Sequence, residues 1–574
     1  MSGATKPPGG NPFLDPILSR WRVTPETLVG VFHDGDDWHS VHMADFMRRA
    51  MQYSELLTDS GVMAEDVVLV ILHHGLEAHA AFFGAMIIGA VPSFMPFPNT
   101  KQDKTLYWRQ HEHVFKHINP RAILAYHGLR ESVSEAVRGS DAIILHPATA
   151  DAKTPALLGH VPGASAIALL QHSSGTTGLK KGVQLSYQAI NDQLEAYAQA
   201  LRLHSIPEKR FASWLPLYHD MGLITSFLMP LWLGVPIVSL DPFEWTKQPS
   251  LLFDAIQDYR ATHIWLPNFA LLHHVRSARG SRTWDLSSLV AIVCCSEPCK
   301  PEAFDAFLER FSAWGVRDSA LQTSYAMAET VFAVTQSSSN KSVRRLRIDR
   351  TVLQTQGRVV MGGADEETMV LLSNGPPISR CEVRILRDGA FVDERVIGEI
   401  CIMAPWLFSG YYKNPDATQD AFQSQWLRSG DLGFLDKGEL FIIGRIKDVI
   451  IVNGKNIFAH DVEAAVSRVP NIKPGRAVAF GHYVATLGSE ELVVVAERLD
   501  SAADQALVCR LVNHAVLEEV GVGCGDVRLV EQGWLVKTTS GKLSRSENLS
   551  KYVQEFLRGA GGTPELVFNY LCNE

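Results

Sequence analysis

Cysteine is scarce in this chain, eight among 574 residues, and no Cys-x-x-Cys pair occurs, which excludes the ligand spacing of a structural zinc and a disulfide framework. Cys294, Cys295 and Cys299 cluster, but the first two close an apolar run over 289–295, which reads as a buried strand. Long runs of one charge are also lacking; with a formal net charge of −9 the chain has no nucleic-acid footprint. No apolar run is both long and unbroken. Residues 80–98 are interrupted by Gly89 and Pro92, and residues 222–240 by Pro230, Gly234 and Pro236. Each therefore reads as a buried helix, a turn and a buried strand, and no membrane span is expected. Residues 1–12 carry no apolar segment of the secretory kind and read as a frayed leader, so a reducing, cytoplasmic setting is expected. No low-complexity tract and no fixed-period repeat is present.

What is there is core material: 46% hydrophobic and 20% charged residues, in a chain too long for one core. Between about 65 and 150, β-branched runs at 67–72, 122–125 and 142–145 alternate with a helical segment at 76–88, the pattern of a parallel or mixed sheet covered by helices. It resumes at 167–170, 263–266 and 289–293. From about 370 the texture changes to short alternating strands, 382–386, 398–403 and 440–443, an antiparallel subregion. Strands at 448–452, 477–480 and 492–496, with helices at 459–468 and 504–519, suffice for a small α+β domain. The expected fold is α/β: a large domain over residues 1–446, of mixed sheets plus the β subregion, and a small one over 447–574.

The strongest motif follows the strand at 167–170. It reads Gln171-His172-Ser173-Ser174-Gly175-Thr176-Thr177-Gly178-Leu179-Lys180-Lys181-Gly182-Val183. Glycines let a backbone approach a phosphate, hydroxyls and N–H groups donate to its oxygens, and lysines supply charge. No glycine here is followed by Lys and then Ser or Thr, so the loop is not a Walker A motif.

The segment resembles the phosphate loop of the adenylate-forming superfamily of acyl-CoA ligases, peptide-synthetase adenylation domains and luciferases, and five further motifs follow in that superfamily's order. Ser296-Glu297-Pro298 resembles the adenine-side loop, and Ser324-Tyr325-Ala326-Met327-Ala328-Glu329-Thr330 the motif in which an aromatic ring faces adenine and a glutamate ligates magnesium. The superfamily usually has glycine where Ala326 stands. Ser429-Gly430-Asp431-Leu432-Gly433 is similar to the ribose motif, with Asp431 in the accepting position. Gly444-Arg445-Ile446-Lys447-Asp448 resembles the motif that closes the large domain, which implies Arg445 near ribose and phosphate and Lys447 as the hinge. Lys537-Thr538-Thr539-Ser540-Gly541-Lys542-Leu543-Ser544-Arg545 resembles the terminal motif of a mobile C-terminal domain, in which Lys542 matches the lysine that enters the site during adenylation. The resemblance thus implies ATP and Mg2+ as cofactors. Ser173 to Gly178 with Lys181, Ser296 to Pro298, Ser324 to Met327, Asp431 and Arg445 would bind the nucleotide.

Within the superfamily, Trp214-Leu215-Pro216-Leu217-Tyr218-His219-Asp220-Met221-Gly222-Leu223 and Pro267-Asn268-Phe269-Ala270 resemble the fatty acyl-AMP ligase branch. That branch hands acyl groups to an acyl carrier protein, free-standing or part of a polyketide or nonribosomal peptide synthase, instead of to coenzyme A. The resemblance implies that His219 lines the reacting centre and that Trp214, Asp220, Met221, Asn268 and Phe269 line the substrate pocket. Residues 330–373, with Lys341-Ser342-Val343-Arg344-Arg345-Leu346-Arg347, resemble the insertion that restrains the small domain in that branch. Residues 559–562 and 564–574 resemble a linker and docking peptide only weakly. A carboxylate attacking the α-phosphorus needs positioning and charge stabilisation, with no acid/base dyad. Two alternatives stay open: an acyl- or aryl-CoA ligase, and a catalytically silent nucleotide-binding scaffold. Luciferase-like oxidation after adenylation is a further possibility within the superfamily, to which no residue points.

Overall fold

The computed structural model describes residues 10–35, 37–97, 104–147, 161–172, 181–278, 282–363, 368–452, 455–484, 489–537 and 543–557. The strand Val67–Ile71 is buried on both faces and lies inside an all-parallel sheet in the order Val91–Phe94, Val67–Ile71, Ala122–Ala125, Ile143–Leu145. Burial on both faces is why its sequence is a continuous run of β-branched and aliphatic residues. The helix Leu76–Ile87 is buried along nearly its whole length. It packs on the helix Met43–Asp59 so closely that a Cβ at Gly84 would lie 2.3 Å from the Ala50 carbonyl oxygen. Over residues 80–95 the chain is thus helix, turn and strand inside the core.

The later strands do not extend that sheet. Ile167–His172 belongs to a three-stranded antiparallel sheet with Gly182–Ser186 and Gly410–Tyr411. His263–Leu266 and Ala291–Cys294 lie in an eight-stranded sheet. Its central strands run Leu321–Ala326, Ala291–Cys294, His263–Leu266, Phe211–Ser213, Ile237–Ser239 and Leu28–Asp34, all parallel. Ala333–Gln336 and Asp37–His42 close its edges antiparallel. Residues 222–240 form consecutive helical turns, Asp220–Leu223, Ile224–Leu228 and Met229–Leu233, then the strand Ile237–Ser239. Among the described residues no helix is long and apolar enough to cross a membrane. The β subregion is an antiparallel sheet of six strands, among them Glu382–Arg387, Gly398–Met403, Trp426–Asp436 and Glu439–Arg445.

After the short turn Ile446–Asp448 the chain builds two further cores, while Val449 and Phe458 pack back on Leu346, Ile348, Phe434 and Ile443. Ile472–Val484 pairs antiparallel with Ser489–Arg498, which pairs parallel with Asp526–Val530. Side chains alternate across this sheet. Ala477, Ala479, Leu492, Val494 and Ala496 pack under the helices Ala459–Val466 and Gln505–Val520. Val478, Phe480, Val493 and Val495 pack with Leu535, Tyr552 and Val553 on the other face. Gln505–Val520 offers Val508, Val512, Val516 and Val520, one stripe at four-residue spacing.

The basic run 341–347 does not dock on this part of the chain. Arg344 is bound by Asp436, and Arg345 reaches Asp305; both anchor the antiparallel hairpin Arg345–Asp349 and Thr368–Leu372 to neighbouring strands and helices. The insertion touches the C-terminal region through Arg350 instead. Its guanidinium donates to the Glu519 carbonyl and, at 3.1 Å, to the Glu519 carboxylate.

Candidate functional site

Sequence-marked residues gather at the carboxyl ends of adjacent parallel strands, where open α/β sheets carry ligand crevices. Trp214 follows Phe211–Ser213, Asn268 and Phe269 follow His263–Leu266, Ser296 to Pro298 follow Ala291–Cys294, and Met327 and Glu329 follow Leu321–Ala326. The loops are tied to one another. The Phe269 N–H donates to Glu297 Oε1 at 2.6 Å, the Lys300 N–H donates to Asn268 Oδ1 at 3.0 Å, and Cys295 Sγ lies 3.1 Å from Met221 Sδ. Ser296 has φ of +70°, a left-handed bend that turns the chain out of its strand.

Trp214 stacks on Trp245 with ring centroids 3.5 Å apart, and half-exposed Phe269 stands edge-on to both. His219 precedes the turn Asp220–Leu223, its carbonyl accepting from Leu223 N–H at 2.7 Å. Gly222 is required there: a Cβ would lie 2.2 Å from the Pro216 carbonyl oxygen. Gln171, at the end of the strand before the glycine loop, donates to the Tyr218 carbonyl at 3.0 Å. The loop and the aromatic segment are thereby neighbours.

The second half of the site is a charged cluster. Asp431 and Arg445 face each other in register on Trp426–Asp436 and Glu439–Arg445. Arg445 Nε donates to Asp431 Oδ1 at 3.1 Å, and the Tyr325 hydroxyl donates to Asp431 Oδ2 at 2.6 Å. Burial raises the Asp431 carboxyl above its ordinary range, opposed by Arg445 and the Tyr325 hydroxyl. Glu329, in the turn Ala328–Thr330, is buried, and its Oε1 accepts from the Tyr411 hydroxyl at 2.8 Å. Burial pushes Glu329 up, the Tyr411 hydroxyl pulls it down, and nearby Asp220 adds to the rise. Lys181 completes the cluster with Nζ 4.5 Å from the Tyr411 ring centroid. Ser324 lies apart, on the opposite face of its strand from Tyr325, and its hydroxyl donates to the Thr335 carbonyl. Ala326 and Met327 continue past Tyr325, with Met327 Sδ 4.0 Å from the Tyr325 hydroxyl.

Residues 173–180 and Lys542 lie outside the described residues, but the segments on either side of each are fixed. Gln171 and His172 pair with Val183 and Gly182, and Lys537 bridges Leu543. Lys447 is exposed in the turn Ile446–Asp448. Arg545 binds the adjacent Asp448 at 2.5 Å and Glu463 through two bonds of 2.9 and 2.7 Å. Lys300 reaches across to Asp461 at 2.7 Å. Tyr411, Lys300 and Asp461 carry no motif that drew notice in the sequence; the one local sign was Gly410, whose φ of +138° lets the chain turn into Tyr411.

Residues 19–412 match the model of the AMP-binding enzyme family. The chain belongs to that family. Residues 447–560 of this AMP-binding enzyme match the Disco-interacting protein 2-like AMP domain. The enzyme is 30% identical, over 85% of each chain, to the medium-chain-fatty-acid–[acyl-carrier-protein] ligase JamA of Moorena producens (strain JHB). It is also 30% identical to the long-chain-fatty-acid–AMP ligase FadD26 of Mycobacterium tuberculosis (strain ATCC 25618 / H37Rv), over 91% of this chain and 92% of that one. A structure from studies of fatty acyl-adenylate ligases of E. coli and L. pneumophila superposes with a TM-score of 0.86 at 25% identity, covering 96% of the enzyme and all of that chain.

Proposed function

We propose that the enzyme activates a fatty acid with ATP to an acyl-AMP, releasing pyrophosphate, and then passes the acyl group to the phosphopantetheine thiol of a separate acyl carrier protein. The observation that carries the reading is the convergence of Tyr325, Asp431, Arg445, Glu329 and Lys181 beside the aromatic wall of Trp214, Trp245 and Phe269. The charged groups suit a nucleotide triphosphate, and the aromatic wall suits an acyl chain.

In the first step a carboxylate oxygen of the acid bonds to the α-phosphorus and the bond to the pyrophosphate oxygen breaks. Asp431 accepts from the ribose hydroxyls, Tyr325 offers its ring to adenine, and Arg445 and Lys181 meet the phosphate charge with Ser173 to Gly178. Ser296 to Pro298 border the adenine, and His219, Asp220, Met221 and Asn268 flank the carboxylate end of the acid. Glu329 fits a magnesium site: it is a buried hard oxygen donor, and Mg2+ held by one carboxylate plus phosphate oxygens needs no larger ligand cluster. Bound there, the cation would neutralise phosphate charge. Lys542 stabilises the developing negative charge. In the second step the thiol sulfur bonds to the acyl carbonyl carbon and AMP leaves, after the small domain, residues 447–574, turns about Lys447. The described cysteines are free thiols, which suits a cytoplasmic setting.

Acid-dependent pyrophosphate release with ATP and magnesium tests the first step; its absence overturns the reading. Intact-mass detection of a loaded carrier protein, set against acyl-CoA formation, tests the acceptor, and comparable rates for both overturn the carrier assignment. Lys542→Ala removes adenylation while sparing transfer from supplied acyl-AMP, and equal loss of both half-reactions refutes its role.

A further inference from the structure

The segment Phe408–Tyr412 is stitched between the two charge-bearing parts of the site. On one side Gly410 and Tyr411 pair with Gln184 and Val183, Ser409 N–H donates to the Gln184 carbonyl at 2.9 Å, and Tyr412 N–H to the Gly182 carbonyl at 2.8 Å. On the other, Phe408 N–H donates to the Glu329 carbonyl at 2.9 Å. The main chain therefore holds this strand without help from the Tyr411 side chain, whose own groups are spent elsewhere. Its hydroxyl binds Glu329 at 2.8 Å and its ring lies under Lys181 at 4.5 Å. One side chain thus contacts both a buried carboxylate and the lysine that follows the glycine loop, and stands between two opposite charges.

We propose that Tyr411 is a positioning residue that holds Glu329 and Lys181 apart at the distance the metal-bound triphosphate requires, the hydroxyl orienting the carboxylate and the ring parking the lysine. This rests on the reading of Glu329 and the glycine loop as the magnesium and phosphate site. The two functions of the side chain are separable. Tyr411→Phe keeps the ring and loses the hydroxyl; Tyr411→Leu loses both.

The test is calorimetric ATP binding with and without Mg2+, together with acid-dependent ATP–pyrophosphate exchange. If the unmodified enzyme neither binds ATP nor exchanges, the functional reading fails and Tyr411 is not at issue. With that established, Tyr411→Phe should keep metal-free ATP affinity within about twofold while Mg2+ enhancement of binding falls about tenfold, the scale of a hydrogen bond to a charged group. Tyr411→Leu should also weaken metal-free ATP binding about threefold, the scale of an exposed cation–π contact. Lys181→Met should weaken metal-free ATP binding less in the Tyr411→Leu background than in the unmodified enzyme, the difference being the coupling through the ring. The proposal is overturned if Tyr411→Phe leaves the magnesium dependence unchanged, or if the Phe and Leu variants bind metal-free ATP alike. It is equally overturned if every ATP parameter falls in step with the melting temperature, as a packing role alone would produce.

Discussion

Asp431 and Asp461 are both largely buried aspartates paired with a cation, yet they are held in opposite ways. Asp431 is met by Arg445 fourteen residues on, directly across a hairpin, and by Tyr325 from the next layer. Asp461 is met by Lys300, which lies 161 residues away beyond the turn Ile446–Asp448. Sheet register fixes the first pair as soon as the hairpin forms, so the nucleotide-facing charges are preorganised. The second pair depends on how two parts of the chain far apart in sequence sit together, so it forms only once both are in place. Binding geometry is therefore built locally, whereas the two parts meet through long-range ion pairs together with an apolar cluster in which Phe458 and Val449 pack with Leu346, Ile348, Phe434 and Ile443.

The comparison breaks most visibly at Asp431. Asp431→Ala should lower kcat/KM for ATP in the exchange assay by about 10²–10³-fold, while amide exchange over Ala459–Val466 stays unchanged. Next comes Arg545, which joins Asp448 to Glu463 on the C-terminal side. Arg545→Met leaves both carboxylates uncompensated and should cost about 3 kcal/mol in denaturant unfolding of that part, with ATP affinity within about twofold.

Acid sharpens the contrast. Burial, offset in part by Asp461, holds His460 down to about 4, so it is neutral at pH 7, where the Lys300 ammonium faces the Asp461 carboxylate. As pH falls from the ordinary histidine value of 6.5, the unfolded chain gains a proton that the folded one refuses until about pH 4, and stability declines across that window. His460→Gln should flatten that slope for the C-terminal part. The N-terminal part, with buried His74 held near 4 and His79, His263 and His274 near 3, keeps its own decline. Burial raises the Asp461 carboxyl, and His460 and Lys300 outweigh it, down to about 2. Its stabilisation is present above the ordinary 3.8 and disappears below, down to pH 2. The smallest effect is Lys300→Ala, on the order of 1 kcal/mol, read as faster amide exchange in Ala459–Val466. Asp461→Asn on the same background should add nothing.

What could be read from the sequence was what is local. The runs at 67–72 and 122–125 are strands because burial on both faces demands unbroken apolar residues, and the helix at 459–468 and the strands at 477–480 and 492–496 follow from their own periodicity. The division of the strands among separate sheets was not legible, since Leu28–Asp34 pairs with Ile237–Ser239 across some two hundred residues and no local pattern encodes that choice. Asp431, Arg445, Tyr325 and Glu329 were legible because each sits in a short motif; Tyr411 and the Lys300–Asp461 pair acquire meaning only when distant strands meet. Phosphate-loop residues 173–180 and Lys542, the clearest sequence signals, fall outside the described residues.

The alternation on Ile472–Val484 and Ser489–Arg498 also bears on how the chain avoids folding wrongly. Over 477–480 and 492–496 both faces are apolar, although buried Glu497 ends the stretch, so along these central residues hydrophobicity alone cannot reject a slip of one residue. Size can. Under the two helices stand Ala477, Ala479 and Ala496, while the other face presents Val478, Phe480, Val493 and Val495. A slipped strand would drive isopropyl and phenyl groups into spaces shaped for methyls, and overpacking of that kind costs about 1–3 kcal/mol at each position. The small side chains beneath the helices act as a gauge that only the correct register passes.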